Sequence, residues 1–161
     1  MRNPADEGAL SMRKVVAWEL VSLDGVMESP EKWSIPYSVD EMAEANVSGM
    51  AAADAVLLGR VTYQEFASYW PYQNSADQPF TDYLNNTPKF VVSTTLQEPL
   101  EWQNSTLIKD NVAEEIAKLK RQPGKDMVIL GSGTLSGRCY KTNSSTSFGS
   151  CCIPSSREAP V

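Results

Sequence analysis

Gly131-Ser132-Gly133-Thr134 follows the apolar run Val128-Ile129-Leu130 and leads into Leu135. Three consecutive apolar residues bounded by turn residues read as a strand buried on both faces. Gly131 and Gly133 carry no Cβ, so the backbone there can approach something flat or anionic. The carboxyl ends of parallel strands are where open α/β sheets bind nucleotides. A plain strand-to-helix turn uses the same residues, because short glycine patterns are weak signals. A second strand end, Leu57-Leu58-Gly59-Arg60, opens a helix, which turns backbone N–H groups and the helix dipole toward an anion. Arg60 offers a guanidinium fork for phosphate oxygens, and Thr62 adds a hydroxyl donor. A solvated surface arginine is the blander reading of Arg60. Asp24, within Ser22-Leu23-Asp24-Gly25, presents a carboxylate that can hydrogen-bond a ring N–H or relay a proton. Asp-Gly is equally a turn pair. Trp33 either stacks on a flat ring or closes the core from a loop. There is no histidine anywhere. That removes Ser-His-Asp and Cys-His catalysis and most zinc sites, and no metal is expected.

The elements that must position these residues alternate between strand and helix. Arg13 to Leu23 is rich in β-formers (Val15, Val16, Trp18, Leu20, Val21) and reads as the first strand. Glu28 to Tyr37, with Pro30 and Pro36, is a loop. Ser38 followed by Glu41 makes a capping box, which starts a helix over about Val39 to Ala53. Ala55 to Leu58 is the second strand. Val61 to Trp70 is helical, because Tyr63, Phe66 and Trp70 share one face. A short helix covers Phe80 to Leu84, and Lys89 to Ser93 and Thr106 to Lys109 are further strands. Asn111 and Glu114 make another capping box for an amphipathic helix from Val112 to Arg121, with Ile116 and Leu119 inward. Gly124 ends it, and Met127 to Leu130 is the fifth strand. This order predicts an α/β domain with a largely parallel sheet.

Composition narrows the partners. The chain has 161 residues, enough for one domain with a sizeable core. Apolar residues make up 42% and charged residues 21%, which is globular rather than disordered. A net charge of −6 argues against nucleic-acid and anionic-membrane partners. No apolar run approaches the roughly 18 residues of a membrane span, and no signal-peptide core is visible. A cytoplasmic location is therefore expected. Residues 1–11 read as a loose extension, with Met12 the more natural start. Cys139, Cys151 and Cys152 form neither a disulfide framework nor a metal knuckle.

Three strand ends stand together in sequence order: Leu57-Leu58-Gly59-Arg60-Val61-Thr62-Tyr63, Phe90-Val91-Val92-Ser93-Thr94 and Ile129-Leu130-Gly131-Ser132-Gly133-Thr134-Leu135. With Ser22-Leu23-Asp24-Gly25, they resemble the dihydrofolate-reductase-like superfamily. The resemblance is closer still to small bacterial proteins related to the reductase (C-terminal) domain of the bifunctional riboflavin-biosynthesis deaminase-reductase. It covers about Met12 to Leu135. It implies a three-layer α/β/α fold with a mostly parallel sheet, often dimeric. It also implies NADPH as cofactor and reduction of a pteridine- or pyrimidine-like substrate. By the same resemblance, Arg60 meets the 2′-phosphate and Ser93 and Thr94 hold the adenosine side. Gly59, Thr62, Gly131, Ser132, Gly133 and Thr134 complete the cofactor site. Asp24 (catalytic) and Trp33 face the nicotinamide and substrate. A catalytically defective or non-catalytic nucleotide-binding remnant is the alternative function.

After Leu135 the resemblance stops. The family pattern continues with an amphipathic helix and an apolar strand, whereas residues 137–161 are rich in Ser and Thr and lack either periodicity. They are expected to be irregular, leaving residues 12–136 as an incomplete domain and Val15 to Val21 as an exposed apolar edge. The three cysteines would then be exposed thiols. A slipped reading frame accounts for the departure. Back-translation from the third base of the Gly137 codon, with third bases free, permits SLLQNELIDEFRLLLHPIVPGS. The third bases are chosen to fit. The apolar placements are fixed wherever a codon begins with T, as at Cys139, Tyr140, Phe148, Cys151 and Cys152.

Overall fold

β-Branched and aromatic residues alternate between two packed faces along β1 (Val15–Ser22). The computed structural model describes residues 12–34, 40–76, 78, 80–141 and 146–153. After β1 the chain makes a 3-10 turn at Pro30–Lys32, then α1 (Asp40–Ala51), β2 (Ala53–Gly59) and α2 (Arg60–Tyr69). Next come α3 (Thr81–Asn86), β3 (Lys89–Val92), β4 (Ser105–Ile108) and α4 (Val112–Arg121). β5 (Asp126–Leu130), α5 (Gly133–Lys141) and β6 (Thr146–Ile153) follow. The described strands form one sheet in the order β4-β3-β2-β5-β1-β6. Every pairing in it is parallel.

The continuous apolar runs of β2 and β5 are explained by their central places in the sheet. Ala55, Leu57, Met127 and Ile129 face Ile116 and Leu119 of α4 and Leu135 and Cys139 of α5. Val56, Leu58, Val128 and Leu130 face the other way, onto a cluster holding Tyr63 of α2 and Leu84 of α3. Met50 of α1, Phe66 and Trp70 pack against that second cluster. The fold is thus three layers, helix–sheet–helix: the parallel α/β domain that the element order predicts, in the three-layer form that the resemblance implies. At the amino ends of the strands, Arg13 bonds the Asp54 carboxylate and the Lys125 carbonyl. All the chemistry anticipated above lies at the opposite, carboxyl ends.

Strand and helix positions follow the sequence-based expectation to within a few residues, and two details change. The capping box assigned to Asn111 and Glu114 does not form. Asn111 is left-handed at φ 50° and makes no side-chain cap, so its carbonyl instead receives the amides of Glu114 and Glu115. The box assigned to Ser38 falls outside the described residues.

The second change is at the carboxyl end. Helix α5 does not stop at residue 136 but continues through residues 137–141. Leu135 and Cys139, four residues apart, put one stripe of it into the core. Cys139 is therefore buried, not an exposed thiol, and burial pushes its thiol pKa up. β6 then pairs with β1 along its whole length, from Val15 opposite Thr146 to Ser22 opposite Ile153. The irregular tail expected from residue 137 and the bare apolar edge along Val15 to Val21 are both corrected by this pairing. Physically, the N–H and C=O groups on the outer side of β1 need partners, and β6 supplies them. The Cys151 and Cys152 side chains lie outside the described residues.

Candidate active site

The site grows from two neighbouring strand ends. β2 and β5 pair in register, with Leu57 opposite Ile129, so Gly59 and Gly131 leave the sheet side by side. Gly59 approaches the second turn so closely that a Cβ there would stand 2.6 Å from Ser132 Oγ. Gly131 turns at φ +56°, a backbone conformation that suits glycine. Thr62, buried in the first turn of α2, donates its hydroxyl to the Gly131 carbonyl at 2.6 Å. Its proton is therefore used to brace the glycine turn, not to meet a ligand. Ser132 begins α5: its Oγ receives the Leu135 amide at 3.4 Å, and its carbonyl receives the Ser136 amide.

A residue that sequence reasoning missed stands behind this turn. Glu19 of β1 is only 7% exposed. Its Oε1 accepts the Ser132 amide at 3.3 Å and the Ser136 hydroxyl at 2.9 Å. Burial pushes its pKa up, and the two hydrogen bonds pull the other way. The signal was available: Glu19 is the one ionisable residue inside the run Val15 to Val21, two places after the buried Ala17. Met27 was missed as well. Its Cε lies 3.8 Å from where a Cβ on Gly133 would be, so the loop after β1 folds back toward the glycine turn.

Arg60 opens α2 on the exposed rim. It spends one donor on Gln64 Oε1 at 2.9 Å, leaving the rest of its five-donor fork. Gly59, the residue before it, makes no side-chain cap, and the first amides of α2 have no intrahelical acceptor. One strand further out, Val92 is opposite Gly59, which sets Ser93 level with Arg60. Ser93 is buried and its Oγ receives the amides of Thr95 and Leu96; Thr94 is exposed. Asp24 lies beyond β1 in a turn held by Gly25 N to Ser22 O and Val26 N to Ser22 Oγ. Its carboxylate accepts the Ser22 hydroxyl. Trp33 is half-buried and donates its indole N–H to the Glu28 carbonyl at 2.9 Å, which fixes the loop. The structure thus joins Gly59, Arg60, Thr62 and the Gly131 to Thr134 turn at one centre. Ser93 and Thr94 flank it on one side, and the Asp24 turn lies beyond β1 on the other.

Comparison with known proteins is decisive at the level of family. The RibD C-terminal domain family matches residues 13–144. The chain belongs to that family. A relative, the uncharacterized protein YyaP of Bacillus subtilis (strain 168), is 27% identical over 128 residues. That match takes in 78% of this chain and 66% of YyaP. Among solved structures, Schistosoma mansoni dihydrofolate reductase superposes with a TM-score of 0.58 at 17% identity, over 90% of this chain and 76% of that one. Dihydrofolate reductase from Enterococcus faecalis, complexed with NADP(H) and RAB-propyl, gives 0.55 at 13% identity, over 89% and 72%. These two share the fold. Membership in the RibD C-terminal domain family, on a dihydrofolate-reductase-like scaffold, points to an NADPH-dependent reductase. Among the described residues, no helix is long and apolar enough to cross a membrane. No cluster of possible metal ligands occurs among them either.

Proposed function

We propose that the chain is an NADPH-dependent reductase of a pteridine- or pyrimidine-like heterocycle, with its cofactor on the paired strand ends of β2 and β5. The observation that carries this reading is the pair of glycine-lined ends, where a Cβ on Gly59 would collide with Ser132 Oγ. That contact holds the two turns together, and the exposed main chain of Gly131 and Gly133 beside it suits a dinucleotide pyrophosphate, which needs close main-chain approach. The donor set fits too. The first amides of α2, the amides of Gly133 and Thr134 at the start of α5, and the Arg60 fork all suit an anion. Arg60 binds the 2′-phosphate, and Ser93 and Thr94 hold the adenosine side.

Hydride transfer is the chemistry NADPH supplies when bound. The chain contributes position and electrostatics. Thr62 and Ser132 hold the turn; the loop from Leu23 to Ser34, anchored by the Trp33 indole, brings Met27 beside it. Asp24 accepts a hydrogen bond from a substrate ring N–H or passes it a proton, and Trp33 stacks on the ring. A homodimer, as the resemblance implies, belongs to the same proposal. A non-catalytic nucleotide-binding remnant is the second reading. It is favoured by one observation, the engagement of Asp24 with Ser22 inside its own turn.

Loss of NADPH absorbance on adding a pyrimidinone or pteridine substrate tests the proposal. Turnover that falls about a hundredfold or more in Asp24→Asn supports the assignment of Asp24 as a proton-relaying group. NADPH binding with no turnover on either substrate class would leave the remnant reading standing and overturn the enzymatic one.

A further inference from the structure

We infer that Glu19 is a positioning residue for the cofactor turn. This rests on the cofactor site proposed above. The glycine turn is held from two sides by buried side chains on neighbouring elements. On the β2–α2 side, Thr62 Oγ1 donates to the Gly131 carbonyl at 2.6 Å. On the β1 side, Glu19 Oε1 accepts from Ser132 N at 3.3 Å and from Ser136 Oγ at 2.9 Å. The two ends of one peptide group, the Gly131 carbonyl and the Ser132 amide, are therefore fixed from opposite sides by α2 and β1.

A buried carboxylate is an expensive way to fill a core position, and an apolar residue of similar size would fold more cheaply. What an apolar residue cannot do is accept. With Glu19 holding the Ser132 amide and the second-turn hydroxyl of α5, the helix start is locked in angle. The next amides, of Gly133 and Thr134, then point as a fixed pair toward the ligand side. Without the acceptor, the part-buried Ser132 N–H loses its partner, and the turn must shift to wet it. The carboxylate never meets the ligand in this arrangement; it acts through Ser132 and Ser136.

The experiment compares NADPH dissociation constants, by quenching of tryptophan fluorescence, for the full chain and three variants. Glu19→Gln keeps an acceptor oxygen at the same place. Glu19→Met keeps the volume and removes the acceptor. Ile116→Val, on α4 away from the turn, supplies a general loss of stability without touching the site. The expected result is that Gln binds within about threefold of the parent, while Met binds about tenfold or more weakly. Ile116→Val, which melts earlier, should bind like the parent. Met binding like the parent, or Met and Ile116→Val weakening the cofactor equally at equal melting loss, would overturn the role of Glu19. A parent chain that does not bind NADPH would instead overturn the cofactor reading itself, and this inference with it.

Discussion

In the proposed cofactor site, single residues divide between those that face the ligand side and those that hold them there. Arg60 belongs to the first group, Thr62 and Glu19 to the second. Sequence alone assigned Thr62 a ligand-facing hydroxyl, because a threonine three places after a helix-opening glycine suits a phosphate. That reading cannot distinguish a hydroxyl aimed outward from one aimed at a neighbouring strand end. The distinction lies in the β2–β5 register, which puts the Gly131 carbonyl within 2.6 Å of Thr62 Oγ1. For Glu19 the sequence shows a lone ionisable residue inside an apolar strand but not its partners, because Ser132 and Ser136 are more than a hundred residues away. Asp24 was read both ways, as turn and as carboxylate, and its bond to Ser22 gives the turn reading a structural basis. At this scale the account predicts that Arg60→Ala weakens NADPH more than NADH. Charge-assisted contacts to the extra 2′-phosphate amount to about 1.5–3 kcal/mol, or about ten- to a hundredfold in Kd. Calorimetric titration with both cofactors measures this. Equal weakening would move Arg60 to the shared diphosphate.

At the scale of elements, the strand and helix order was legible because buried central strands and amphipathic helices write different periods into the chain. Caps were less legible, as Asn111 shows: its type suits a cap, yet its left-handed backbone carries the side chain away from the helix amides. The junction of α3 and β3 held a surprise. Lys89 reads in sequence as the first residue of a strand, yet it is fully buried. Its ammonium donates to the carbonyls of Leu84 at 2.7 Å and Thr87 at 2.9 Å, and it lies 4.3 Å from the centre of the Trp102 ring. It thus closes the end of α3, where helix carbonyls lack partners. Burial pushes its pKa from 10.5 down to about 8. Between those values the unfolded chain binds more protons at this site than the folded one. Stability contributed here therefore rises with pH across that window, and the cost is fully present below about pH 8. Urea unfolding at pH 8 and pH 10 should show this rise in the parent and a smaller one in Lys89→Met. An identical rise in both would place the titration elsewhere.

The whole molecule is a parallel sheet with helices on both faces, and its carboxyl end is where sequence and structure agree least. β6 occupies the place beside β1, with Gly149 opposite Trp18 and Ser150 opposite Glu19. Glycine and serine are poor residues for a strand paired at full length, since they bring little side chain to pack. The family resemblance gave the place, and the residues written there gave none of the expected periodicity; hence the irregular tail inferred from sequence. A slipped frame after Gly137 sets DEFRLLLH over residues 146–153, the span of β6. Replacing the residues after Gly137 by SLLQNELIDEFRLLLHPIVPGS should therefore raise the melting temperature. Leucine would replace Ser150, Cys151 and Cys152, each fully buried one adding up to about 1.5–3 kcal/mol. Equal or lower melting would contradict the slipped frame, as would an undisturbed gene whose shifted reading meets a stop.

The central claim is that the paired strand ends at Gly59 and Gly131 hold NADPH. Thermal unfolding of the chain as given, with and without NADPH, tests it most directly. The account predicts a saturable rise in melting temperature, with about 2.7 kcal/mol of stabilisation when NADPH is a hundredfold above its Kd. The same rise should be absent from Gly59→Leu, whose side chain would collide with Ser132 Oγ and push the two turns apart. No rise in the parent at millimolar NADPH, or an undiminished rise in Gly59→Leu, would contradict it.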